Sequence, residues 1–397
     1  MMLDFEIVHE KLDQAVEVLA EKGIDLWITF VRETSHVGDP CLDLLLGLDL
    51  TWQSALMVSR TGERIAIVGR FDVDNVERVG GYTTVVGYDQ SIRELLLEHL
   101  TRLDPRQIAL NFSENDPAAD GLTHGMFRVL AKIVADTEYA DRLTSAEGVI
   151  GALRGRKTPA EVSRIRAAVQ ETDGIFRRIG QLIRPGVTAR EIARWFHDAV
   201  AGEGLGLSWG RDYCPVVTPG PDAPFGHAMP GDFAVQRGHL LQVDFGVQKD
   251  GFVSDLQRTW YVLDEGETEA PAEVSAGWKA ARAALEAGRA VLHPGVRGWE
   301  VDQAARETLT RAGYPEFMHA FGHHVGRTAH DGATILGPHW EKYGASVDGV
   351  IEAGNVFAIE LGVQVPGRGY IGCEEDVLVT FAGAEYLSEP QTELWCI

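Results

Sequence analysis

Two stretches of the chain repeat one another, and this duplication constrains the fold more than any other feature of the sequence. Residues 183–204 (IRPGVTAREIARWFHDAVAGEG) align without a gap with residues 292–313 (LHPGVRGWEVDQAARETLTRAG). Both copies contain Pro-Gly-Val, a Glu five residues after that Gly, and a closing Gly. Each copy therefore predicts a turn followed by an amphipathic helix that a glycine ends.

The duplication continues in two strand-like runs, GHLLQVDFGVQ and GNVFAIELGVQ, in which Asp244 corresponds to Glu360. A second acid follows a Gly-aromatic turn in each copy, Asp255 in DGFVSD and Glu374 in RGYIGCE. Two half-domains would thus each offer two acids from adjacent strands. If the halves pack about a pseudo-twofold axis, the four acids converge on that axis.

The surroundings of these acids are apolar, unlike those of most of the 59 Asp and Glu residues in the chain. An acid buried in an apolar strand is costly unless it is paired or binds a cation. Four converging carboxylates repel one another unless metal ions neutralise them or their pKa values rise. Carboxylate oxygens suit Mn²⁺, and an added imidazole extends the choice to Zn²⁺, Fe²⁺ or Co²⁺.

Histidines that suit such a site are concentrated in the stretch MHAFGHHVGRTAH, whose Gly, Phe and Val residues indicate a folded loop and strand. His227 stands apart in PFGHAMPGD, and its place upstream of Asp244 favours a role in the same site. The stretch holds four of the 13 histidines of the chain, namely His319, His323, His324 and His330.

The remaining sequence predicts an α+β protein of two domains. Residues 6–22 have helical apolar spacing, and strand-like runs follow them. A shift in composition near residue 150 precedes a helix start at Thr158-Pro159. We therefore expect a smaller mixed α/β domain at 1–152 and the duplicated domain at 153–397.

Charge and composition exclude several classes of partner. Lys and Arg number 36 against 59 Asp and Glu, which gives a formal net charge of −23. This excess argues against nucleic acid and against an anionic membrane surface as partners. We expect a cytoplasmic protein, because the chain has no long apolar run and no basic, apolar leader. The cysteines show no CxxC spacing and are expected to be reduced thiols: Cys41, Cys214, Cys373 and Cys396.

Together the motifs resemble those of the pita-bread metallopeptidases, the family of methionine aminopeptidase, aminopeptidase P and prolidase. The resemblance covers about residues 153–397, and the two-domain layout is similar to that of the aminopeptidase P and prolidase branch. The matching segments are VDFG, SDLQRT, GHHVGRTAH, AIELG and GCEEDVLVT. The resemblance implies a duplicated, pseudo-twofold pita-bread catalytic domain, preceded by an N-terminal domain like that of creatinase and prolidase.

A centre of two divalent ions is implied by the same resemblance. The ions are expected to be Mn²⁺, with Zn²⁺ or Co²⁺ as alternatives, and Asp255 and Glu374 would bridge them. Counting back from Val379-Thr380 assigns the last ligand to Glu374 and not to Glu375. The five implied ligands are Asp244, Asp255, His323, Glu360 and Glu374.

The resemblance also implies which residues act on the substrate. His227, His319 and His330 match positions that contact the substrate and steady the tetrahedral intermediate. Among these, His227 and His330 are expected to be catalytic together with Glu360, which would accept a proton from the attacking water. His324 has no counterpart and is expected to be structural.

Three positions depart from the family pattern. Leu361 stands where the family usually has Pro, Gln364 where it has Tyr, and Gly372 where it has Arg. The usual Tyr and Arg surround the metals, and losses of this kind typically cost about 10- to 100-fold in metal affinity or activity. All five ligands are present, so we expect an active enzyme of a divergent subfamily.

The implied activity is metal-dependent hydrolysis of the peptide bond that precedes proline in short Xaa-Pro peptides. We expect an Xaa-Pro dipeptidase (prolidase), because the missing Tyr and Arg resemble a dipeptidase-like subfamily. Aminopeptidase P is the alternative, followed by a non-peptidase hydrolase or lyase on the same fold and by a binding module without metal. Relatives are often dimers, so we expect a homodimer.

Overall fold

A break in the pattern of internal contacts divides the chain into Met1–Arg154 and Gly155–Ile397, beside the domain boundary predicted after residue 152. The computed structural model describes residues 5–226, 228–332 and 334–397. His227, one of the predicted catalytic residues, therefore lies outside the described residues. The two units are each built around their own sheet.

The first unit is a mixed sheet of six strands in the order β4-β3-β2-β1-β5-β6. Its strands are β1 (Leu26–Val31), β2 (Ser54–Ser59), β3 (Arg64–Gly69), β4 (Thr84–Tyr88), β5 (Ile108–Leu110) and β6 (Leu143–Ser145). Its helices are α1 (Glu6–Lys22), α2 (Leu42–Leu45), α3 (Val73–Val79), α4 (Arg93–Leu103), α5 (His124–Val134) and α6 (Glu147–Gly155).

Alternating residues of β1 belong to two different apolar cores. Trp27 packs in one core with residues of α1, whereas Ile28 and Phe30 pack in the other with residues of α4 and α5. The sheet is therefore buried on both faces. The helix predicted over residues 6–22 is confirmed, and Gly23 follows it with a φ of 72°, a left-handed conformation that suits glycine.

The second unit has four long helices, α7 (Pro159–Gly180), α8 (Ala189–Gly202), α9 (Ala272–Val291) and α10 (Gly298–Arg311). Its largest sheet follows the order β14-β13-β15-β16-β12-β9-β8, with β17 beside β16 and β18 beside β12. The strands of the second unit, in this sheet and outside it, are β7 (Gly206–Leu207), β8 (Val216–Pro219), β9 (Leu240–Phe245), β10 (Val247–Lys249), β11 (Phe252–Val253), β12 (Leu256–Tyr261), β13 (Gly322–His324), β14 (Ile335–Leu336), β15 (Val356–Val365), β16 (Gly369–Thr380), β17 (Gly383–Tyr386) and β18 (Trp395–Cys396).

The predicted duplication is visible in the elements themselves. Helices α8 and α10 begin and end at residues that correspond in the aligned repeat. The first residues of β9 and β15 also correspond to each other. Thr188 forms an isolated bridge with Ala234, and Arg297 forms the equivalent bridge with Val350. The two halves thus share helix, turn and strand positions.

The repeated Glu has the same task in both halves. Glu191 accepts a hydrogen bond from the Thr188 backbone N–H at 2.9 Å, and Glu300 accepts one from the Arg297 backbone N–H at 2.7 Å. Each is the N3 residue of its helix and satisfies the N–H of the N-cap residue. In α8 the Thr188 hydroxyl accepts from the Glu191 N–H and completes a capping box, whereas Arg297 of α10 has no side-chain acceptor. The repeated signal in the sequence was therefore a helix cap.

Alternation along β9 and β15 separates apolar residues from acids. Phe245 of β9 packs on Phe176 and Phe196, with ring centroids 5.7 and 4.5 Å away. In β15, Ile359 and its alternate neighbours join the core that contains α9. The intervening residues, among them both acids, point to the opposite face of the sheet.

Two further findings concern the whole of the described chain. Cys41, Cys214, Cys373 and Cys396 are free thiols, which confirms the prediction from their spacing. No helix within residues 5–226, 228–332 and 334–397 is both long enough and apolar enough to cross a membrane.

Replacement of Thr158 by Ala tests the predicted start of α7. Thr158 Oγ1 accepts a hydrogen bond from the Glu161 N–H at 3.3 Å, and Glu161 accepts one from the Thr158 N–H at 2.9 Å. We expect Thr158→Ala to lower the free energy of unfolding in urea by about 1 kcal/mol, because the cap is lost. The exposed control Thr310→Ala should change it by less than about 0.5 kcal/mol. Equal values for the two variants would contradict the cap.

Candidate metal centre

Four neighbouring strands place polar residues in one row across the large sheet. Asp244 of β9 pairs with Gln257 of β12, Gln257 pairs with Glu374 of β16, and Glu374 pairs with Glu360 of β15. All these strand pairs are antiparallel, so directly paired residues point to the same face of the sheet. Three acids and one amide therefore lie side by side.

Asp255 and His323 complete the cluster. Asp255 lies two residues before Gln257 and immediately precedes β12. His323 Nε2 lies 3.8 Å from Asp255 Oδ2 and 4.0 Å from Glu360 Oε1. Ligand atoms of Asp255, His323 and Glu374 all lie within 4.8 Å of one another. The fold thus brings together the five residues that the sequence motifs single out as ligands.

The His323 ring is oriented for metal binding. Its Nδ1 lies 3.4 Å from the His324 backbone carbonyl, an arrangement in which Nδ1 carries the proton and Nε2 keeps its lone pair. Burial, followed by the nearby His330, lowers the pKa of His323 to about 3. A neutral imidazole with a free Nε2 lone pair is the form that ligates metals.

The acids are strained electrostatically. The pKa of Asp244 is raised well above its ordinary value, mainly by burial and secondly by repulsion from Glu360. Burial and Asp255 do the same for Glu374. Burial raises the pKa of Glu360 to about 7, although a hydrogen bond from Gln257 opposes the shift. A cation bound between these groups would remove both the repulsion and much of the desolvation cost.

Two buried oxygens make the fit to a cation explicit. Asp244 Oδ1 and Glu374 Oε2 are buried and have no hydrogen-bond partner. Buried carboxylate oxygens without donors are rare in native proteins and call for an unseen water or ion. Carboxylates with one imidazole form a donor set that suits Mn²⁺, Zn²⁺ or Co²⁺. The residues present therefore fit a divalent metal centre.

Glu374 and Glu375 have different surroundings. Glu375 accepts a hydrogen bond from the Ser388 hydroxyl at 2.6 Å and lies 3.2 Å from the Arg258 guanidinium. Glu375 is therefore paired on the other face of β16. Of the two, Glu374 has its ligand atom beside Asp255 and His323, which is where the sequence places it.

A cavity of about 220 Å³ opens beside the acids. One part of its lining is apolar, and another part consists of acids, amides and His319. Such a mixture of an apolar wall and a few polar groups is typical of small-molecule sites. The lining residues are Val216, Phe225, Gly226, Gln242, Asp244, Gln257, Phe317, His319 and Glu360.

The other predicted histidines differ in position. His319 is exposed and lines the cavity. His330 is exposed, and its ring meets the His323 ring edge-on, with centroids 4.4 Å apart and planes at 87°. His324 is buried on the other side of β13, where it packs on the Phe357 ring at 4.1 Å. The position of His227 lies outside the described residues.

Three residues at the site were not predicted from the sequence. Gln257 and Gln242 line the cavity, and Tyr370 pairs directly with Gln364 across β15 and β16. The Tyr370 ring lies over Gly362, where a Cβ would overlap its hydroxyl. Gln242 interrupts the apolar run LLQV, which is the same signal that singled out Asp244, whereas Gln257 lies in the polar segment SDLQRTW, where no such signal exists.

A protein-family model described as metallopeptidase family M24 matches residues 163–381, more than half of the chain. The chain belongs to metallopeptidase family M24. This match confirms the family that the sequence motifs indicate. The matched segment contains all five acids and histidines that the sequence predicts as metal ligands.

Several known proteins are similar to this family M24 member over nearly its whole length. An uncharacterized peptidase of Staphylococcus aureus is 26% identical over 347 residues, 84% of this chain and 87% of the relative. An X-Pro aminopeptidase from Thermotoga maritima has a TM-score of 0.72 at 22% identity, over 97% of this chain and 99% of that one. An Xaa-Pro dipeptidase from Bacillus anthracis has a TM-score of 0.74 at 22% identity, over 98% and 100%. These structures confirm the two-domain pita-bread fold.

Removal of the imidazole tests the metal centre directly. We expect His323→Ala to bind Mn²⁺ at least about 100-fold more weakly than the wild type, since changes even in residues that support a ligand cost about 10- to 100-fold. Isothermal titration of the metal-free protein measures this affinity. The matched control His293→Ala removes an exposed histidine and should leave the affinity unchanged. Unaltered binding by His323→Ala would refute the site.

The raised pKa values predict how the metal-free protein responds to pH. Its folded state holds more protons on these acids than the unfolded chain does, so stability falls as pH rises. His323 and His324, whose pKa values burial lowers to about 3, act oppositely only below their ordinary value of 6.5. Above pH 6.5 the acids therefore decide the trend. Stability falls as the pH rises through the pKa of about 7 of Glu360 and continues to fall at higher pH.

Thermal unfolding measures this trend. The melting temperature of protein treated with a chelator should be lower at about pH 8 than at pH 6.5, the ordinary histidine value. Added Mn²⁺ should raise it more at the higher pH, because the ion then replaces no protons. A metal-free protein whose melting temperature rises over this interval would contradict the account of the acids.

Proposed function

We propose that this metallopeptidase hydrolyses the peptide bond that precedes proline, with dipeptides of the Xaa-Pro type as its main substrates. Two divalent ions, with Mn²⁺ as the first candidate, would be held by Asp244, Asp255, His323, Glu360 and Glu374. The proposed partners are short Xaa-Pro peptides and a second copy of this chain, in the cytoplasm.

The observation that carries this proposal is the row of buried acids beside His323 and the cavity. Four carboxylates carry four negative charges, and two divalent ions carry four positive charges, so two ions balance the site where one does not. The cavity that adjoins Asp244 and Glu360 gives a substrate direct access to the acids. The names of the Xaa-Pro peptidases with the same fold support the choice of substrate.

The chain's own residues would divide the chemistry as follows. When bound, the ions supply charge neutralisation and polarisation of the peptide carbonyl. Glu360, which lines the cavity, would accept a proton from the attacking water and pass it to the leaving nitrogen of proline. His319 at the cavity and His330 beside His323 would orient the peptide backbone. His227 would stabilise the developing oxyanion.

Cavity dimensions support a short substrate. The volume of about 220 Å³ is smaller than the range of about 300–1,000 Å³ that is typical of pockets for drug-sized ligands. Val216, Phe225 and Phe317 provide an apolar wall that suits the pyrrolidine ring of proline. These features favour a dipeptide that occupies the cavity completely.

Aminopeptidase P is the second candidate, and the rim of the cavity is the observation that favours it. Phe225 is 46% exposed, and Met318, next to the cavity residues Phe317 and His319, is 63% exposed. Apolar side chains exposed at a cavity mouth offer a surface for residues that follow proline. On this alternative, longer peptides would bind with their later residues outside the cavity.

Hydrolysis by the purified full-length protein tests the proposal. With Mn²⁺ bound, we expect release of free proline from Ala-Pro and Met-Pro, a smaller kcat/KM for Ala-Pro-Ala, and no cleavage of Ala-Ala. The His323→Ala variant should lose this activity together with its metal. Product analysis by chromatography with added free-proline standards gives the rates.

Each other outcome has a defined meaning. Cleavage of the tripeptide alone would favour aminopeptidase P over dipeptidase. Absence of cleavage of every Xaa-Pro peptide by protein that demonstrably holds two ions would reject both and favour a non-peptidase hydrolase or lyase on this fold. Protein that binds no ion at all would reject the metal centre and the enzyme with it.

A further inference from the structure

Gln257 occupies the centre of the row of acids. It pairs with Asp244 on one side and with Glu374 on the other. Its Nε2 donates a hydrogen bond to Glu360 Oε2 at 3.0 Å, although Glu360 belongs to a strand two positions away in the sheet. This is the one residue of the row that carries no charge.

The direction of this hydrogen bond is determined by a chain of donors and acceptors. An ionised carboxylate only accepts, so Gln257 must direct its Nε2 to Glu360 and its Oε1 elsewhere. Gln242 Nε2 donates to that Oε1 at 3.0 Å, and both amides are buried. Gln242 therefore holds the Gln257 amide in the one orientation that serves Glu360.

Space for the Gln257 side chain comes from a glycine on the neighbouring strand. A Cβ added at Gly372 would overlap Gln257 Oε1, and Gln242 Cγ lies 3.0 Å from the same point. Gly372 is also the position at which the family resemblance leads one to expect Arg. The side chain that fills this space thus comes from β12 and is neutral.

We infer that Gln257 is a positioning residue for Glu360, held in place by Gln242 and accommodated by Gly372. By engaging Oε2, it leaves Glu360 Oε1 directed towards His323 Nε2, 4.0 Å away. The inference rests on the proposed function, because Glu360 is a metal ligand there. It adds a residue whose task is to orient that ligand before the metal arrives.

The neutral amide has a consequence for charge. Four carboxylates and two divalent ions already sum to zero, and an amide orients Glu360 without changing that total. Preorganisation of a ligand raises metal affinity because less ordering remains to be done on binding. Loss of the amide should therefore weaken metal binding and not only slow turnover.

Two variants remove the interaction in different ways. Gln257→Met keeps a side chain of similar length but has no N–H donor. Gly372→Ala adds a methyl group on the neighbouring strand β16, and this group displaces the flexible end of the Gln257 side chain. Isothermal titration of each metal-free, full-length variant with Mn²⁺ should give an affinity about 10- to 100-fold below that of the wild type. The visible absorption of the Co²⁺-loaded protein, which reports ligand geometry, should change in both.

The double variant Gln257→Met/Gly372→Ala sharpens the test. If both changes act through the same hydrogen bond, the second adds nothing to the first, and the double variant binds Mn²⁺ as weakly as Gln257→Met alone. The matched control is Gln303→Met, since Gln303 also donates to a carboxylate, that of Glu307, at 2.7 Å, but on the exposed face of α10. It should bind Mn²⁺ like the wild type.

The outcomes separate this inference from the proposed function. If Gln257→Met binds Mn²⁺ with wild-type affinity and keeps an unchanged Co²⁺ spectrum, the inference is overturned while the proposed function stands. If Gln257→Met does not fold, the same result in Gly372→Ala overturns the inference. Additive losses in the double variant would overturn it as well. A wild type that binds Mn²⁺ but cleaves no Xaa-Pro peptide would refute the activity and leave the affinity comparison decisive. A wild type that binds no metal would overturn both.

Discussion

Repulsion among carboxyl groups held side by side in the interior is the constraint on which the rest of this structure depends. Two unit charges 4 Å apart interact by about 4 kcal/mol at the effective dielectric constant of a partly buried site. Several such pairs, from acids on four neighbouring strands, would be incompatible with a stable fold if they were left uncompensated. The raised pKa values of these acids and the carboxylate oxygens that lack donors follow from the burial of these groups in this one arrangement.

The duplicated fold is what makes the arrangement attainable. Each half supplies a helix with a Glu at its N3 position, an apolar strand with one acid on its inner face, and a second acid on the strand that follows. The helices cover one face of the sheet and bury the alternate residues, such as Phe245 and Ile359. Because alternate residues are anchored in this way, the strands cannot slip by one residue without moving the acids into the apolar cores. Packing on one face of the sheet thus fixes the chemistry on the other.

The site combines family features with features of this chain. Membership of metallopeptidase family M24 accounts for the acids and for His323. The glycine pair Gly362 and Gly372, which face each other across β15 and β16, instead makes room for side chains that come from elsewhere, the Tyr370 ring over one and the Gln257 amide over the other. The loss of the usual side chains at positions 364 and 372, at which the sequence departs from the family, therefore leaves no empty space in the structure. The space beside the predicted metal ligands is filled by the Tyr370 ring from β16 and by the Gln257 side chain from β12.

The sequence by itself determined the elements and the acids, and the tertiary structure decided how they are connected. Helix starts at Thr158 and strand runs such as LLQVDFG were predictable because capping and apolar alternation depend on residues close together in the chain. Asp244 and Glu360 were predictable for the same reason, since each interrupts an apolar run, and Asp255 and Glu374 were predictable from their corresponding places in the repeat. The bond between Gln257 and Glu360 was not predictable, because it joins residues 103 apart and exists only once β16 lies between their strands. The cavity was equally beyond reach, because its walls come from several segments and their spacing is set by packing, which no local pattern records.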